Sequence, residues 1–401
     1  MFDAYSHYVA YGATDQQTAR DLLGSYDGLL VPGTVAAFQR EGTGGFVLTL
    51  SATAAAPEYV IDSRFPLFQQ ALLAPKKSHE ALALLLDDPS LISGYAPSPA
   101  AFTHERTQRI VSAWVDFNRG YRTDVRRKFN KYAERLGEPV EPADIRGPHR
   151  ILVPYTISTG PADDWWRVSA QMLDQARQLD PSCLRVIATE TPTQLNALLE
   201  QVDDEHLVIW VSGLEELVLP ADQLATYART VRAAAERGQQ TFALYGGFFH
   251  VLLGGLGLRG ASHGIGYGEY RSWIELPTSG PPPARYYLRR VHRYVSQELA
   301  YQLYMRDRTL VECNCDECNG QPPIALDYHE LMKHSVRARA EEIEAWSRLD
   351  PITAAELLET EHTAWERVVP NLGLPPFLRP QAERSYEHLL RWAHALRLAA
   401  S

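Results

Sequence analysis

Three of the four cysteines in this 401-residue chain fall within six residues, as Cys313-Asn-Cys315-Asp-Glu-Cys318. Cysteines this close cannot cross-link distant parts of a fold, but the CxCxxC spacing can direct three thiolates at one centre. Zinc in a closed structural site takes four ligands, and the fourth is commonly a histidine. His329 and His334 both follow the cluster at the start of a predicted helix. We expect a structural Zn²⁺ site completed by His329, which lies nearer the helix start and can point back at the loop.

Acidic residues stand where predicted strands end. Asp62 closes the predicted strand Tyr59–Asp62, and Glu269 closes the glycine-rich run Gly264–Glu269, which His263 precedes. Barrel enzymes place their active sites at the carboxyl ends of strands, and two carboxylates can break a bond at an anomeric carbon from opposite faces of the sugar. Asp62 is therefore a candidate catalytic residue, with Glu269 or His263 as its partner. The alternative is that Asp62 only caps a turn.

Alternating strands and helices are predicted to position these residues. Eight short apolar runs are predicted strands: Leu29–Val31, Phe46–Leu50, Tyr59–Asp62, Arg150–Ile157, Leu184–Thr189, Leu207–Ser212, Thr241–Tyr245 and Ala261–Ile265. Segments with helical periodicity follow four of them: Ala162–Leu179, Thr193–Val202, Ala221–Arg237 and Phe248–Leu256. This alternation favours parallel pairing through right-handed crossovers, and eight such strands close into a TIM (β/α)8 barrel.

The chain divides into a barrel and a helical extension. Residues 1–278 are predicted to form the barrel, with a helical insertion at about 79–148 between the third and fourth strands, carrying helices His79–Leu86 and His104–Leu136. Ser279–Pro283 is a proline-rich break. Residues 284–401 are predicted to form a zinc-binding helical extension that opens with helix Arg285–Arg306 and ends with helix Arg379–Ala399.

Composition narrows the class of protein. Apolar residues make up 45% of the chain, charged residues 22%, and the formal charge is −10. These values exclude a disordered chain, a disulfide scaffold and a uniformly basic nucleic-acid binder. The N-terminus lacks the basic start and apolar core of a secretion signal, and no apolar run approaches the roughly 18 residues of a spanning helix. We expect a cytoplasmic protein without a membrane partner; a homodimer is left open.

Several segments together resemble the tRNA-guanine transglycosylases and their DNA-modifying relatives. Asp62–Gln69 is similar to the family's Asp-Ser-Gly-Gly-Phe-Gln motif, and Leu29–Phe38 to its Met-Pro-Val-Gly-Thr strand. Ser212–Glu216 weakly resembles the family's base-recognition loop, and Tyr328–His334 looks like its zinc-histidine helix, a correspondence that again selects His329. With the cysteine cluster, the resemblance spans roughly residues 25 to 345.

The resemblance implies a pentosyltransferase that exchanges guanine in tRNA or DNA for a 7-deazaguanine base. It implies a substrate-binding set: Ser63, Phe68, Gln69, Gly213, Leu214, Gly246 and Gly247. Gly246 and Gly247 would let a planar base lie against the backbone, although a plain turn is the alternative.

A nucleic-acid partner of an acidic chain requires local basic patches. One stretch lies in the insertion: Arg122, Arg126, Arg127, Lys128 and Lys131. We predict nucleic-acid contact through a second stretch, before the cysteine cluster: Arg285, Arg289, Arg290 and Arg293.

Two other functions remain open at this stage. Gly260–Glu269 carries no aspartate where the family has its nucleophile. That motivates the hypothesis of a non-catalytic, transglycosylase-like subunit that binds nucleic acid. A TIM-barrel hydrolase of a small substrate would use the same end of the barrel, because a fold does not dictate a function.

Overall fold

A computed structural model describes residues 4–12, 15–137, 139–266, 269–274 and 283–401. Within these ranges, no helix has both the length and the apolar composition needed to cross a membrane. Most of the predicted break at 279–283 lies outside the described residues.

Eight parallel strands form one sheet. They are β1 (Ser6–Ala10), β2 (Gly28–Pro32), β3 (Glu58–Asp62), β4 (Arg150–Ile151), β5 (Arg185–Thr189), β6 (His206–Val211), β7 (Gln240–Ala243) and β8 (Leu258–His263). Their order is β4-β3-β2-β1-β8-β7-β6-β5. Strands that are consecutive in the chain are therefore adjacent in this order, except β4 and β5 at its two ends, and the first strand is adjacent to the last. This order is consistent with the predicted TIM barrel.

The two strands at the ends of that order, β4 and β5, are also joined. Parallel bridges pair Leu152 with Leu184 and Ile157 with Ala188, and the Ser158 amide donates to the Ala188 carbonyl at 3.0 Å. The predicted strand Arg150–Ile157 is regular over two residues only. Pro154 lies inside it and has no N–H to donate to a ladder, so the pairing breaks and resumes.

The α-helices of the described residues number fifteen. They are α1 (Gln16–Asp21), α2 (Gly33–Phe38), α3 (Arg40–Ser51), α4 (Lys77–Leu85), α5 (His104–Asp124), α6 (Phe129–Leu136), α7 (Asp164–Leu179), α8 (Pro192–Leu199), α9 (Ala221–Glu236), α10 (Phe248–Leu252), α11 (Gln297–Arg306), α12 (Tyr328–Trp346), α13 (Pro351–Val368), α14 (Arg379–Glu383) and α15 (Glu387–Ala400). The insertion is helical as predicted, although its long helix is interrupted at Val125.

One predicted strand is a helix and one strand was missed, so the total of eight is still correct. Phe46–Leu50 lies inside α3, and β1 at Ser6–Ala10 was not predicted. Gly44 and Gly45 resemble a loop in sequence but lie within α3, where they allow close packing. A Cβ on Gly44 would lie 2.3 Å from Cγ2 of Val125, and one on Gly45 would lie 2.8 Å from Cβ of Lys128.

The segment after residue 283 also differs from its prediction. Arg285–Arg306 is a hairpin of β9 (Arg285–Leu288) and β10 (Arg293–Ser296), followed by α11. His292 adopts a left-handed φ of 53° at the turn. The helix prediction failed because Tyr286, Tyr287 and Leu288 are all buried, a continuous apolar run that fits either element.

Contacts divide the chain into two compact units. The first comprises residues 8–213 and 271–277, and it contains α1–α8 with β2–β6. Its core includes Trp114 of α5, whose indole N–H donates to the Leu152 carbonyl at 2.8 Å. The second comprises residues 1–7, 214–270 and 278–401. Helices α9, α13 and α15 pack together in it, and Arg232 donates to the Ala399 carbonyl at 2.7 Å.

Replacing Gly44 by alanine tests the packing of α3. We expect Gly44→Ala to lower the free energy of unfolding by about 1–3 kcal/mol, because the new methyl group overlaps Val125. Gly42→Ala is the matched control on the same helix, since its nearest neighbour is the Tyr132 hydroxyl at 4.0 Å. The control should be neutral or more stable in urea denaturation, owing to helix propensity. Equal stability of the two variants would contradict this packing.

Candidate functional site

The three clustered cysteines and one histidine converge on a single point. The sulfurs of Cys313, Cys315 and Cys318 and a ring nitrogen of His334 all lie within 4.8 Å of one another, and all four residues are buried. His334 Nδ1 lies 3.6, 3.5 and 3.3 Å from the three sulfurs in that order. A tetrahedral metal with Zn–S near 2.3 Å and Zn–N near 2.0–2.1 Å would place such atoms about 3.6 Å apart. The cluster therefore has the geometry and donor set to hold a metal ion.

The histidine that lies with the three cysteines is His334, not the predicted His329. Both residues lie on α12, which begins at Tyr328. An α-helix turns about 100° per residue, so positions five apart project about 140° away from each other. Only one of the two histidines can face the cysteines. It is His334, nearly two turns from the start of the helix.

Contacts around His334 fix which nitrogen faces the cysteines. Its Nε2 donates to the Tyr287 carbonyl at 2.7 Å, which leaves Nδ1 as the ligand atom. The ring of Tyr286 stacks on the His334 ring with centroids 4.5 Å apart. Strand β9 therefore supplies both the carbonyl and the aromatic face that orient the imidazole.

The ligand assignment is tested by metal content. We expect about one metal ion per purified chain, retained by His329→Ala and lost by His334→Ala and Cys315→Ser, because only the latter two remove donor atoms. Elemental mass spectrometry measures the ratio. Loss of metal from His329→Ala with retention by His334→Ala would reverse the assignment.

Asp62 is buried at the end of β3 and acts there as a turn-capping carboxylate. Its Oδ1 accepts hydrogen bonds from the Tyr155 hydroxyl at 2.8 Å and from the Arg64 backbone N–H at 3.0 Å. Arg64 has a left-handed φ of 56°, so the cap stabilises a strained turn. This arrangement is the alternative offered from the sequence, and a catalytic role for Asp62 stays a prediction.

The neighbouring predicted substrate residues are buried too. The Gln69 side-chain amide pairs with both backbone groups of Ile157, donating at 3.0 Å and accepting at 2.6 Å. Ser63 Oγ accepts from the Phe65 amide at 3.3 Å, and Phe68 is fully buried. The residues of the segment Asp62–Gln69 therefore have structural contacts, which join the end of β3 to the segment after β4. Their predicted roles in substrate binding are untested.

A second cluster of polar residues lies after strands β6, β7 and β8. Gly246 and Gly247 follow β7, and Glu216 reaches them from the segment after β6. Glu216 accepts hydrogen bonds from the amides of Gly247 at 2.7 Å and Phe249 at 2.9 Å, and it contacts His250 Nδ1. A Cβ on Gly247 would lie 2.6 Å from Glu216 Oε2, so a side chain there would require Glu216 to move. Gly213 and Leu214, predicted for base recognition, form the turn after β6, with Gly213 at φ +83°.

Glu269 converges on the same glycine. Its Oε2 would lie 3.1 Å from a Cβ on Gly247, and its Oε1 accepts from Arg339 at 2.5 Å. Burial raises the pKa of Glu269 to about 7, with Arg339 opposing the shift and Glu216 adding to it. Glu269 can therefore exchange a proton near neutral pH.

His263 ends β8 in the same cluster. Its Nδ1 lies 2.8 Å from the Gly246 carbonyl and must donate to it, so Nε2 carries a lone pair. That Nε2 is buried and has no hydrogen-bond partner among the described residues. Burial, together with Arg339, His7 and His250, lowers the pKa of His263 well below its usual range, so the ring is neutral.

The sequence had not indicated Arg339, Glu342 or a role for Glu216 in this cluster. Arg339 and Glu342 lie on the buried face of α12, and each is only 3% exposed. The sequence does carry one signal for them. Arg339 and Glu342 lie on the same face of α12 as the apolar Leu331 and Trp346, and charged residues on a buried helix face commonly have a specific partner.

Two of the four predicted nucleic-acid-binding arginines have partners within the protein. Arg289 pairs with Glu341 at 2.6 Å, and Arg293 donates to the Arg384 carbonyl at 3.0 Å. Arg285 and Arg290 are exposed. Contact with nucleic acid stays a prediction.

The chain was compared with known proteins. No family model matches it, and it matches none of the curated proteins. Solved structures similar to it include the intracellular xylanase TsXylA from Thermoanaerobacterium saccharolyticum, at 11% identity and a TM-score of 0.37, covering 69% of this chain and 90% of that one. A GH10 endoxylanase from a sugarcane soil metagenome matches at 9% identity and a TM-score of 0.33, covering 61% of this chain and 68% of that one. A GH10 protein from Paenibacillus barcinonensis matches at 13% identity and a TM-score of 0.30, covering 60% of this chain and 68% of that one.

The predicted membership of the tRNA-guanine transglycosylases is wrong. No family model and no curated protein supports it, and the solved structures named above are described as xylanases or GH10 proteins, not as transglycosylases. The predicted pentosyl transfer from guanine to a 7-deazaguanine was inferred from membership of that family, and it is therefore wrong as well. Two of the residues that suggested it make structural contacts, since Asp62 caps a turn and Gln69 pairs with the backbone of Ile157.

A buried histidine beside this cluster makes stability depend on pH. His292 contacts Glu342 at 2.6 Å and Glu361 at 2.9 Å. Burial alone would lower the pKa of His292, but Glu361 and Glu342 outweigh it and raise the pKa to about 9. A raised folded-state pKa stabilises the fold below about 6.5, and that stabilisation is lost as pH rises through about 9.

We therefore expect the free energy of unfolding to fall between pH 6.5 and 9, by an amount on the order of a few kcal/mol. His292→Gln should lose most of this slope, because it removes the proton that binds in the folded state. Urea denaturation at a series of pH values measures it, with His394→Gln as the control at an exposed histidine. An unchanged slope in His292→Gln would show that another group is responsible.

Proposed function

We propose that the protein is a hydrolase that cleaves a glycosidic bond in a small substrate, with Glu216 and Glu269 as its two carboxylates. The observation that carries the proposal is their convergence on Gly247. One carboxylate oxygen of each lies within 3.1 Å of the place where a Cβ of that residue would stand. The pair follows strands β6 and β8, at the end of the strands where barrel enzymes hold their active sites.

The two carboxylates have environments that suit different roles. Hydrolysis through a covalent intermediate needs two carboxyl groups about 5–5.5 Å apart, one ionised and one protonated. The Glu216 carboxylate accepts hydrogen bonds from the N–H groups of Gly247 and Phe249, which hold it in place. Glu269, with a pKa of about 7, can be protonated near neutral pH.

The reaction balances with water as the only co-reactant. Glu269 donates its proton to the leaving oxygen as the glycosidic C–O bond breaks, and Glu216 bonds to the anomeric carbon. Water then displaces Glu216, giving up its proton to Glu269, so both carboxyl groups return to their starting state. His263 offers a neutral Nε2 that can accept a hydrogen bond from a substrate hydroxyl.

We also propose Zn²⁺ as the occupant of the metal site. Three thiolates and one imidazole in a tetrahedral arrangement are a donor set typical of structural zinc. Four protein ligands leave no open position for water. The metal would therefore stabilise the hairpin and α12, and the chemistry belongs to the carboxylates.

Substitution of the two carboxylates tests the function. We expect Glu216→Gln and Glu269→Gln each to lower hydrolysis of activated aryl glycosides by about 100-fold or more, because each removes a group that acts in the transition state. Glu215→Gln, at the exposed neighbouring glutamate, should keep full activity. The wild-type rate should fall as pH rises through about 7, as Glu269 loses its proton.

The measurement is release of the aryl group, with thermal melting to show that each variant folds. A 2-fluoro glycoside should add its sugar to the peptide that contains Glu216, seen by mass spectrometry. Turnover that survives in both variants, or a wild type inactive on every glycoside class, would contradict the proposal.

A further inference from the structure

Arg339 lies between two carboxylates, the half-buried Glu269 and the buried Glu342. One guanidinium nitrogen donates to Glu269 Oε1 at 2.5 Å, and the other donates to Glu342 Oε2 at 3.0 Å. The rings of Tyr287 and Phe248 flank the guanidinium, with their centroids 5.0 and 5.6 Å from its central carbon. The side chain is therefore held by two aromatic contacts as well as by two carboxylates.

Glu342 is itself held by two further groups. The Tyr287 hydroxyl donates to its Oε2 at 2.8 Å, and His292 Nδ1 donates to its Oε1 at 2.6 Å. The carboxylate that anchors Arg339 thus has its own position set from β9 and from the turn that follows it. Such outer contacts commonly determine how well an inner group is placed.

We propose that Arg339 is a positioning residue for Glu269, and that Glu342 and the Tyr287 hydroxyl hold Arg339 in place. The inference rests on the proposed function in treating Glu269 as the catalytic acid. Arg339 would act by aiming the Glu269 carboxyl group at Gly247 and by setting how readily it ionises.

The charges around Glu269 give the direction of the effect. Arg339 favours the ionised form of Glu269, whereas Glu216 and Glu342 favour the protonated form. A full ion pair would keep Glu269 ionised and useless as an acid. Because Glu342 contacts the same guanidinium and has the opposite effect on Glu269, it offsets part of the effect of Arg339.

Two conservative variants probe this arrangement without removing buried charge. Arg339→Lys keeps the charge but cannot donate to both carboxylates with fixed geometry. Tyr287→Phe removes only the hydroxyl that binds Glu342, and it leaves the backbone carbonyl that accepts from His334. Tyr286→Phe is the matched control on the same strand. The Tyr286 hydroxyl donates to the Val311 carbonyl and lies 3.9 Å from Cys318 Sγ, so the variant keeps the ring that stacks on His334 and the hydrogen bond from Tyr287 to Glu342.

The readout is the titration of Glu269, followed by NMR of ¹³C-labelled glutamate carboxyl groups and assigned with Glu269→Gln. We expect the Glu269 midpoint to move by about half a unit or more in Arg339→Lys and Tyr287→Phe, as a change of about 0.7 kcal/mol or more would give. The midpoint in Tyr286→Phe should stay at the wild-type value. On a hydrolysed glycoside, kcat should fall about tenfold or more with little change in KM, and the pH profile should move with the midpoint.

An unchanged Glu269 midpoint in both variants would overturn the inference, even if the protein is an active hydrolase. A shifted midpoint in a protein that hydrolyses no glycoside would support the positioning role of Arg339 and reject the proposed function. A shift of the same size in Tyr286→Phe would show that any change in the hairpin disturbs Glu269, which also overturns the inference.

Discussion

The buried charge of Arg339 is the constraint on which the second unit depends. A guanidinium group that is 3% exposed must be compensated, and Glu269 and Glu342 provide the compensation from different parts of the chain. Removing one partner of such a pair leaves an uncompensated charge, which commonly costs about 3–5 kcal/mol. The position of α12 is therefore tied to the segment after β8 by charge as well as by apolar packing, and this tie also holds the Glu269 side chain beside Gly247.

The strand-and-helix alternation was predictable from the sequence because most strands are short apolar runs between Gly, Pro and polar residues. Strands β2, β3, β5, β6 and β7 were found within a residue or two of their bounds. The failures share a physical cause. In α3, Gly44 and Gly45 serve interhelical contact, and in β9 the continuous burial removes the period-2 signal, so neither segment carries the local pattern of its element.

The candidate site was predictable only where residue type and spacing carry the signal. The CxCxxC cluster locates three ligands, but the choice of His334 over His329 depends on the rotation of α12, which spacing alone does not give. Glu269 and His263 were identified from their place after a strand. Their contacts with Arg339 and Gly246 join residues far apart in sequence, and no local pattern encodes such meetings.

The discontinuity of the second unit has a consequence for biosynthesis. Its strand segment up to His7 leaves the ribosome before residues 8–213, whereas α12 to α15 emerge last. Tyr5 and His7 must therefore wait, without their final neighbours, while the first unit is translated. During that interval the nascent chain holds an incomplete hydrophobic surface, of the kind that recruits chaperones. The contacts of Arg339 with Glu269 and Glu342 can form only after synthesis has passed Glu342, so this part of the cluster is completed late in folding.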